Sequence, residues 1–415
     1  MRLKHAQILI GTYLLVAFVL IPLMTPLRQL GTATPGLIRA AVIPPLIFLI
    51  ILSLGRNLTK LNSMLMPVLL LTFLQAAIVG LWSGPDFDLR SYLSHLFQLF
   101  SAYVMLVCGM TWSDSLGIRF WKRFSFMALL SVSVSSLTSI SLWLDQEIGR
   151  LYTPAYVLVF VSAVSLSMHP KGKLQNSAAV LMAVVSNKRG PLISVLVMIC
   201  AAITSRFAFW GTGGSKIRKN SIILAFSLAL VLLLIAPLLP ILLSEEINHP
   251  FMQAFTKTTE RLFSLFATEQ DQISFNAASA GRIEEIDLAL NSLRGADYFF
   301  GRGAGWTEIT AYGKGIHNIH FTPISLLTVF GFPFAIFVYA YAAWLIVSML
   351  KWILANGSHT EKVALFYLIG SLVHTMTAYS LFVDLLNFFF LGVLARAHTR
   401  RKRHKYQIEH AVNTV

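Results

Sequence analysis

Apolar runs of about twenty residues, separated by short polar turns, recur along this sequence from Ala6 to Ala395. A helical run of that length spans the hydrocarbon core of a bilayer and satisfies its own backbone hydrogen bonds where water cannot. The expected fold class is therefore all-α, a polytopic integral membrane bundle. Composition agrees. Of 415 residues, 56% are hydrophobic and 12% charged, with a mean hydropathy of +0.69, whereas a soluble domain carries roughly a quarter charged residues. Twelve helices are expected, near 6–26, 37–54, 64–82, 95–112, 124–144, 151–168, 174–186, 190–207, 221–243, 321–349, 363–380 and 382–396. The first follows Arg2, Lys4 and His5, as in a signal peptide, but no small-residue cleavage site follows, so it is expected to be retained. Cys108 and Cys200 both lie inside apolar runs, which predicts buried thiols and neither a disulfide framework nor a cysteine metal site.

Lysine and arginine gather in alternate loops. Arg2, Lys4, Arg56, Lys60, Arg119, Lys122, Arg123, Lys171, Lys173, Arg206, Lys216, Arg218, Lys219, Lys351, Lys362 and the tail from Arg396 to Lys405 hold 21 of the 33 basic residues. The same segments hold three of the 18 acids, Asp114, Glu361 and Glu409. Positive charge stays on the cytoplasmic side of a membrane, so both termini are expected inside. The net charge of +15 thus follows topology, and no nucleic-acid partner is implied. Four segments result: 1–243 with the first nine spans, 244–320 as a large outer loop, 321–396 with the last three spans, and 397–415 as a basic inner tail facing anionic lipid.

Lys188 and Arg189 break this pattern. They stand in Ser186-Asn187-Lys188-Arg189-Gly190, on the side that otherwise avoids cations, between two short helices. Backbone that breaks at membrane depth must line a cavity or be buried in protein, and an arginine there can present its donor fork to a diphosphate. Snorkelling to lipid phosphates is the plainer alternative.

The outer loop has helical signals of its own. Phe251, Met252, Phe255, Leu262, Phe263 and Phe266 suit an amphipathic helix on the membrane surface. A second helix is expected after Ser279, with Ile283, Ile286, Leu290 and Leu293 on one stripe. Arg282 opens it, either pairing with Glu284 or Glu285 or joining the helix N-terminus around an anion. The tract Gly301-Arg302-Gly303-Ala304-Gly305 either cradles phosphate with its backbone N–H groups or forms a plain turn. His317 and His320 precede a long apolar helix, and a neutral imidazole there could take a proton from a sugar hydroxyl. Metal binding by these two lacks a third ligand in the spacing. Asp86 and Asp88 form an acidic pair of the kind that holds metal in some lipid-dependent glycosyltransferases, in a region that is acidic throughout. Arg39, Arg90 and Arg150 are further outer cations with no specific spacing.

Taken in order, Ser186 to Gly190 heading a helix, Gly281-Arg282 at a helix start in a long outer loop, Phe300-Gly301-Arg302-Gly303, His317-Asn318, and an apolar helix containing Gly331 resemble the O-antigen ligase and O-antigen polymerase superfamily. These are bacterial membrane glycosyltransferases of the inner membrane. The resemblance covers about residues 174–340. It implies a donor oligosaccharide on undecaprenyl diphosphate, held by Arg189, Arg282, Lys188 and Arg302, and a histidine base on the periplasmic face, with no cofactor and no metal. The family histidine is usually followed by Asn, which favours His317. It usually precedes a glycine by eleven residues, which favours His320. The resemblance implies transfer to another lipid-linked repeat unit, as in a polymerase, which the Asn-Lys-Arg-Gly-Pro form resembles slightly more. The ligase alternative uses lipid A-core as acceptor. A chain-length regulator is an expected partner beside the bilayer itself. A lipid-linked oligosaccharide transporter is the alternative of another class. Transporters show repeat halves and ionisable groups in mid-helix, and here His374 and Asp384 are the nearest approach to that.

Overall fold

The computed structural model describes residues 2–31, 35–54, 63–82, 87–144, 153–168, 172–186, 189–209, 282–309, 315–316, 321–376 and 381–413. Regular structure among them is helical apart from one short ladder. Helix α1 (Arg2–Leu15) passes through a π-turn (Val16–Leu20) into α2 (Ile21–Leu23) and α3 (Thr25–Gln29). Then come α4 (Pro35–Leu54), α5 (Leu65–Leu81), α6 (Leu89–Trp112), α7 (Ile118–Leu144), α8 (Val157–Ser167), α9 (Lys173–Val185) and α10 (Arg189–Phe209). The second half has α11 (Arg282–Ser292), α12 (Asp297–Phe300), the antiparallel strands β1 (Glu308–Ile309) and β2 (Gly315–Ile316), α13 (Thr322–Phe330), α14 (Phe332–Asn356), α15 (His359–Thr375) and α16 (Leu386–Asn413). Among the described residues, four stretches are long and apolar enough to cross a membrane: Lys4–Leu23, Leu89–Ser115, Ile118–Leu142 and Phe332–Asn356. Shorter apolar helices, among them Leu65–Leu81, Val157–Ser167 and Gly190–Thr204, accompany them. The helices expected at 221–243 and over Phe251–Phe266 lie outside the described residues.

Several expected boundaries shift, and two of the shifts have a clear physical cause. The single helix expected at 321–349 is two, because Gly331 adopts φ +86° between α13 and α14. A Cβ at this position would lie 2.1 Å from the Phe299 carbonyl oxygen, so the backbones touch there and only glycine fits. The apolar pattern runs unbroken across the kink and hides it. The last helix, expected to end at 396, continues to Asn413. Its basic end is held by neighbours. Arg396 donates to the Met110 and Thr111 carbonyls (3.1 and 3.0 Å) and pairs with Asp114. Arg400 donates to both oxygens of buried Glu361 (2.7 and 3.0 Å). These contacts satisfy the open carbonyls at the end of α6 and fasten α16 to α15.

The chain forms two compact units. One comprises Met1–Gln7, Ile47–Gly117 and Gly281–Val415. Its core is the packing of α16 against α6 and α15, with Phe388, Phe389 and Phe390 all buried. A buried polar contact joins Ser371 to Asn387, whose amide also donates to the Leu381 carbonyl (3.1 Å).

The other unit comprises Ile8–Leu46 and Ile118–Ala280. Pro22 has no N–H to offer Phe18, and the helix widens into the π-turn just before it. The loosened carbonyls find hydroxyls instead. Ser131 donates to Val19 (2.6 Å) and Tyr156 to Ala17 (3.1 Å). Phe18 packs on Phe160 with ring centroids 5.1 Å apart. Ser135, Ser136 and Ser139 of α7 and Ser162 and Ser165 of α8 are buried, and the two helices pack together. Small residues at such a contact let helix backbones approach closely.

Candidate functional site

In the unit that contains α9 and α10, the Ser186–Gly190 segment joins the end of α9 to the start of α10. Ser186 caps the end of α9: its N–H bonds the Met182 carbonyl (2.9 Å) and its hydroxyl the Ala183 carbonyl (2.7 Å). Its own carbonyl accepts the buried Thr153 hydroxyl (2.8 Å). Arg189 is the first residue of α10, followed by buried Gly190 and by Pro191, a residue suited to a first helical turn. The backbone position of Arg189 therefore sits where a helix presents unsatisfied N–H groups and the positive end of its dipole. Lys188 lies outside the described residues.

In the other unit, α11 begins at Arg282, as expected for the helix after Ser279. Leu293 and α12 follow, and the chain then passes through Gly301–Trp306 as a strap across the ends of three helices. Five successive N–H groups of this strap are spent inside the protein. Gly301 bonds the Asp297 carbonyl (2.7 Å), Arg302 the Thr328 carbonyl (2.7 Å), Gly303 the Val329 carbonyl (3.0 Å) and Ala304 the Ala76 carbonyl (3.0 Å). The Gly305 N–H bonds Nδ1 of His95 (3.2 Å). The tract is thus a turn and not a phosphate cradle, because the groups that a phosphate would need are already bonded.

The strap also completes α13. Arg302 and Gly303 cap the carbonyls of Thr328 and Val329, and the Gln75 amide reaches those of Phe330 (3.2 Å) and Phe300 (2.7 Å). Carbonyls left open by the break at Gly331 are closed in this way. A Cβ on Gly303 would fall 2.3 Å from the Gly80 nitrogen, so the strap lies directly on the α5 backbone. Beyond it, Trp306 is fully buried and bridges to Phe87, and the Asp88 N–H bonds the Gly305 carbonyl (2.9 Å).

The side chain of Arg302 is partly exposed and pairs with Asp297 at 3.3 Å. Asp297 also accepts the Arg294 N–H (3.1 Å). Arg302 is thus a cation on an immobile backbone, already partly neutralised. His317 and His320 lie outside the described residues, but the chain on either side of them is fixed. Ile316 pairs with Glu308 in the ladder, and α13 starts at Thr322, whose side chain is fully buried.

Matched against protein-family models and curated proteins, the chain finds no counterpart.

The acidic pair is decided in part. Asp88 is the N-cap of α6, its carboxylate accepting the Ser91 N–H at 2.7 Å. Asp86 and Arg150 lie outside the described residues, Arg90 is exposed on α6 and Arg39 half-buried on α4. Among the described residues no three His, Cys, Asp or Glu side chains gather as metal ligands do. Asp384 accepts the Leu386 N–H (3.1 Å) at the start of α16.

Sequence reasoning passed over His95 and Gln75. Both are polar residues within apolar runs, and His95 is fully buried. That was the available signal, since polar groups inside membrane helices are costly and are kept for a purpose. The sequence places His95 at the first position of its helix, whereas α6 begins at Leu89.

Proposed function

We propose that this chain is a bacterial inner-membrane glycosyltransferase of the O-antigen polymerase and ligase type, with about twelve spans and its site on the periplasmic face. The observation that best supports this reading is the strap. Its closed hydrogen bonds fix Arg302 and the entry to the segment that carries His317 and His320. Fixed cations stabilise developing charge without reorganising during the reaction. In the proposed reaction an acceptor hydroxyl oxygen attacks the anomeric carbon of the donor glycan. The bond from that carbon to the diphosphate oxygen breaks, the leaving group departs as undecaprenyl diphosphate, and His317 or His320 takes the hydroxyl proton. The resemblance assigns neutralisation of the diphosphate to Arg189, Lys188, Arg282 and Arg302, and the base contributes about a hundredfold or more.

Polymerase is the reading advanced, with a second lipid-linked repeat unit as acceptor and a chain-length regulator as partner. Ligation to lipid A-core uses the same donor chemistry. A transporter of lipid-linked oligosaccharide is less well supported. Transporters use broken helices whose freed carbonyls hold coupling ions, whereas at the break at Gly331 those carbonyls are capped by the strap and by Gln75.

The test is the lipopolysaccharide banding of a strain deleted for this gene, complemented with wild type or with Arg189→Ala. One repeat unit on lipid A-core, restored to a ladder by wild type alone, is the expected result. Loss of all glycan from lipid A-core, with long chains still on undecaprenyl diphosphate, identifies a ligase instead. Unchanged banding overturns O-antigen as the product.

A further inference from the structure

His95 sits in α6 with no exposed surface, its ring edge-on to Phe330 (centroids 6.2 Å apart). The Gly305 N–H points at its Nδ1 from 3.2 Å. A nitrogen that accepts an N–H cannot itself carry a proton. The ring must therefore be neutral, with its one proton on Nε2. Among the described residues, its surroundings favour that state. Helices α5 and α13 and the stretch Leu386–Ala395 of α16 bring no charged side chain. On α6 itself, Asp88 is committed to the Ser91 N–H, Arg90 is exposed, and the Tyr92 hydroxyl donates to the Ala77 carbonyl (3.2 Å). On the strap side, Arg302 is paired with Asp297.

His95 is also the one side chain among the five acceptors that hold the strap, the other four being backbone carbonyls. The bond it takes is the last before Trp306, where the chain leaves for the ladder and the two histidines.

We infer that His95 is a positioning residue. As the Nε2–H tautomer it accepts the Gly305 N–H and sets the path by which the chain leaves the strap at Trp306 toward β1. It acts through the strap and takes no part in proton transfer to the substrate. The inference rests on the glycosyltransferase reading for its activity readout alone, since its structural half is measurable in a protein of any function.

The requirement is an acceptor at one place. Asparagine puts its Oδ1 where Nδ1 stands. Glutamine puts its amide where Nε2 stands, and phenylalanine keeps the ring but has no acceptor. The full-length protein with His95→Asn, His95→Gln and His95→Phe is assayed for glycan transfer in membranes at matched expression. Asparagine is expected to keep activity within about threefold of wild type, while glutamine and phenylalanine lose about tenfold or more, the scale of one hydrogen bond. Wild-type activity in the phenylalanine variant overturns the inference, as does equal loss in all three folded variants.

Because phenylalanine leaves the buried Gly305 N–H without its acceptor and can fail to fold, the decisive second measurement needs no variant activity. Histidine-¹⁵N-labelled protein is compared by NMR with its His95→Asn counterpart. The signals that vanish belong to His95. A non-protonated Nδ1 and a protonated Nε2 are expected, and a protonated Nδ1 overturns the inference. If the wild type transfers no glycan at all, the functional proposal falls and the tautomer still decides this one.

Discussion

Gly109 and Gly392 face each other across the contact of α6 with α16. A Cβ on Gly109 would lie 1.8 Å from the Phe389 carbonyl oxygen, and one on Gly392 would lie 2.1 Å from the Leu106 carbonyl oxygen. Both obstacles are backbone, so no rotamer change relieves them, and the helices must move apart. Gly109→Ala and Gly392→Ala are each expected to destabilise by about 1–3 kcal/mol, the range for overpacked interiors. Because the two residues share one contact, the double variant should cost less than the sum of the singles. Thermal unfolding in detergent, read through tryptophan fluorescence, checks this. Two alanine variants as stable as wild type would show that α6 and α16 do not meet in this way.

Asp297 and Arg302 allow structure and charge to be separated. Their ion pair is partly exposed at both ends, and pairs of that kind contribute about 0–1 kcal/mol. Asp297→Asn should leave stability nearly unchanged while releasing more of the arginine's charge. Arg302→Ala should be almost as stable, because the backbone bond from Arg302 to Thr328 survives the substitution. If Arg302 meets a diphosphate, glycan transfer falls about tenfold or more in Arg302→Ala and does not fall in Asp297→Asn. Equal loss in both variants would mean that the pair matters only as a local fastening.

How much of this could be read in the sequence depends on how far each feature reaches through space. The all-helical character, the long apolar helices and the helix starts at Arg282 and near Arg189 follow from local periodicity and charge, and the described residues show them. The break at Gly331 depends on Phe299 and Gly301, which no local pattern around 331 contains. The two readings of the glycine tract differ only in what its N–H groups bond to. Those partners, Ala76, His95, Asp297, Thr328 and Val329, come from four different helices. The continuation of α16 past Arg396 likewise depends on partners in other helices, at Asp114 and Glu361. His95 was visible as a polar residue in an apolar run, but the pattern did not say which group it would meet.

The buried serines of α7 and α8 carry an energetic consequence. The hydroxyls of Ser135, Ser136, Ser139, Ser162 and Ser165 are buried and have no hydrogen-bond partner among the described residues. A buried hydroxyl without a partner costs about 1–3 kcal/mol, and alanine keeps the small size that the helix contact needs. Ser136→Ala and Ser139→Ala are therefore expected to raise the unfolding temperature or leave it unchanged, and Ser139→Val, which adds bulk, to lower it. A drop in both alanine variants would show that these hydroxyls are bonded.

His398, on the basic extension of α16 beyond Arg396, gives a prediction about pH. Its ring lies edge-on to Trp344 with centroids 4.8 Å apart. Burial there, and then the nearby charges of Lys402 and Arg401, hold its pKa below the ordinary histidine value of 6.5. The unfolded chain thus takes up this proton at higher pH than the folded one does. Stability then falls as the pH drops through 6.5 toward the folded-state pKa, and below that the penalty is constant. His398→Gln removes the difference, so its unfolding temperature should decline less between about pH 7 and pH 5 than that of the wild type. The measurement is the gap between the two melting curves across that range. A gap that does not change with pH would place the His398 ring in solvent, away from Trp344.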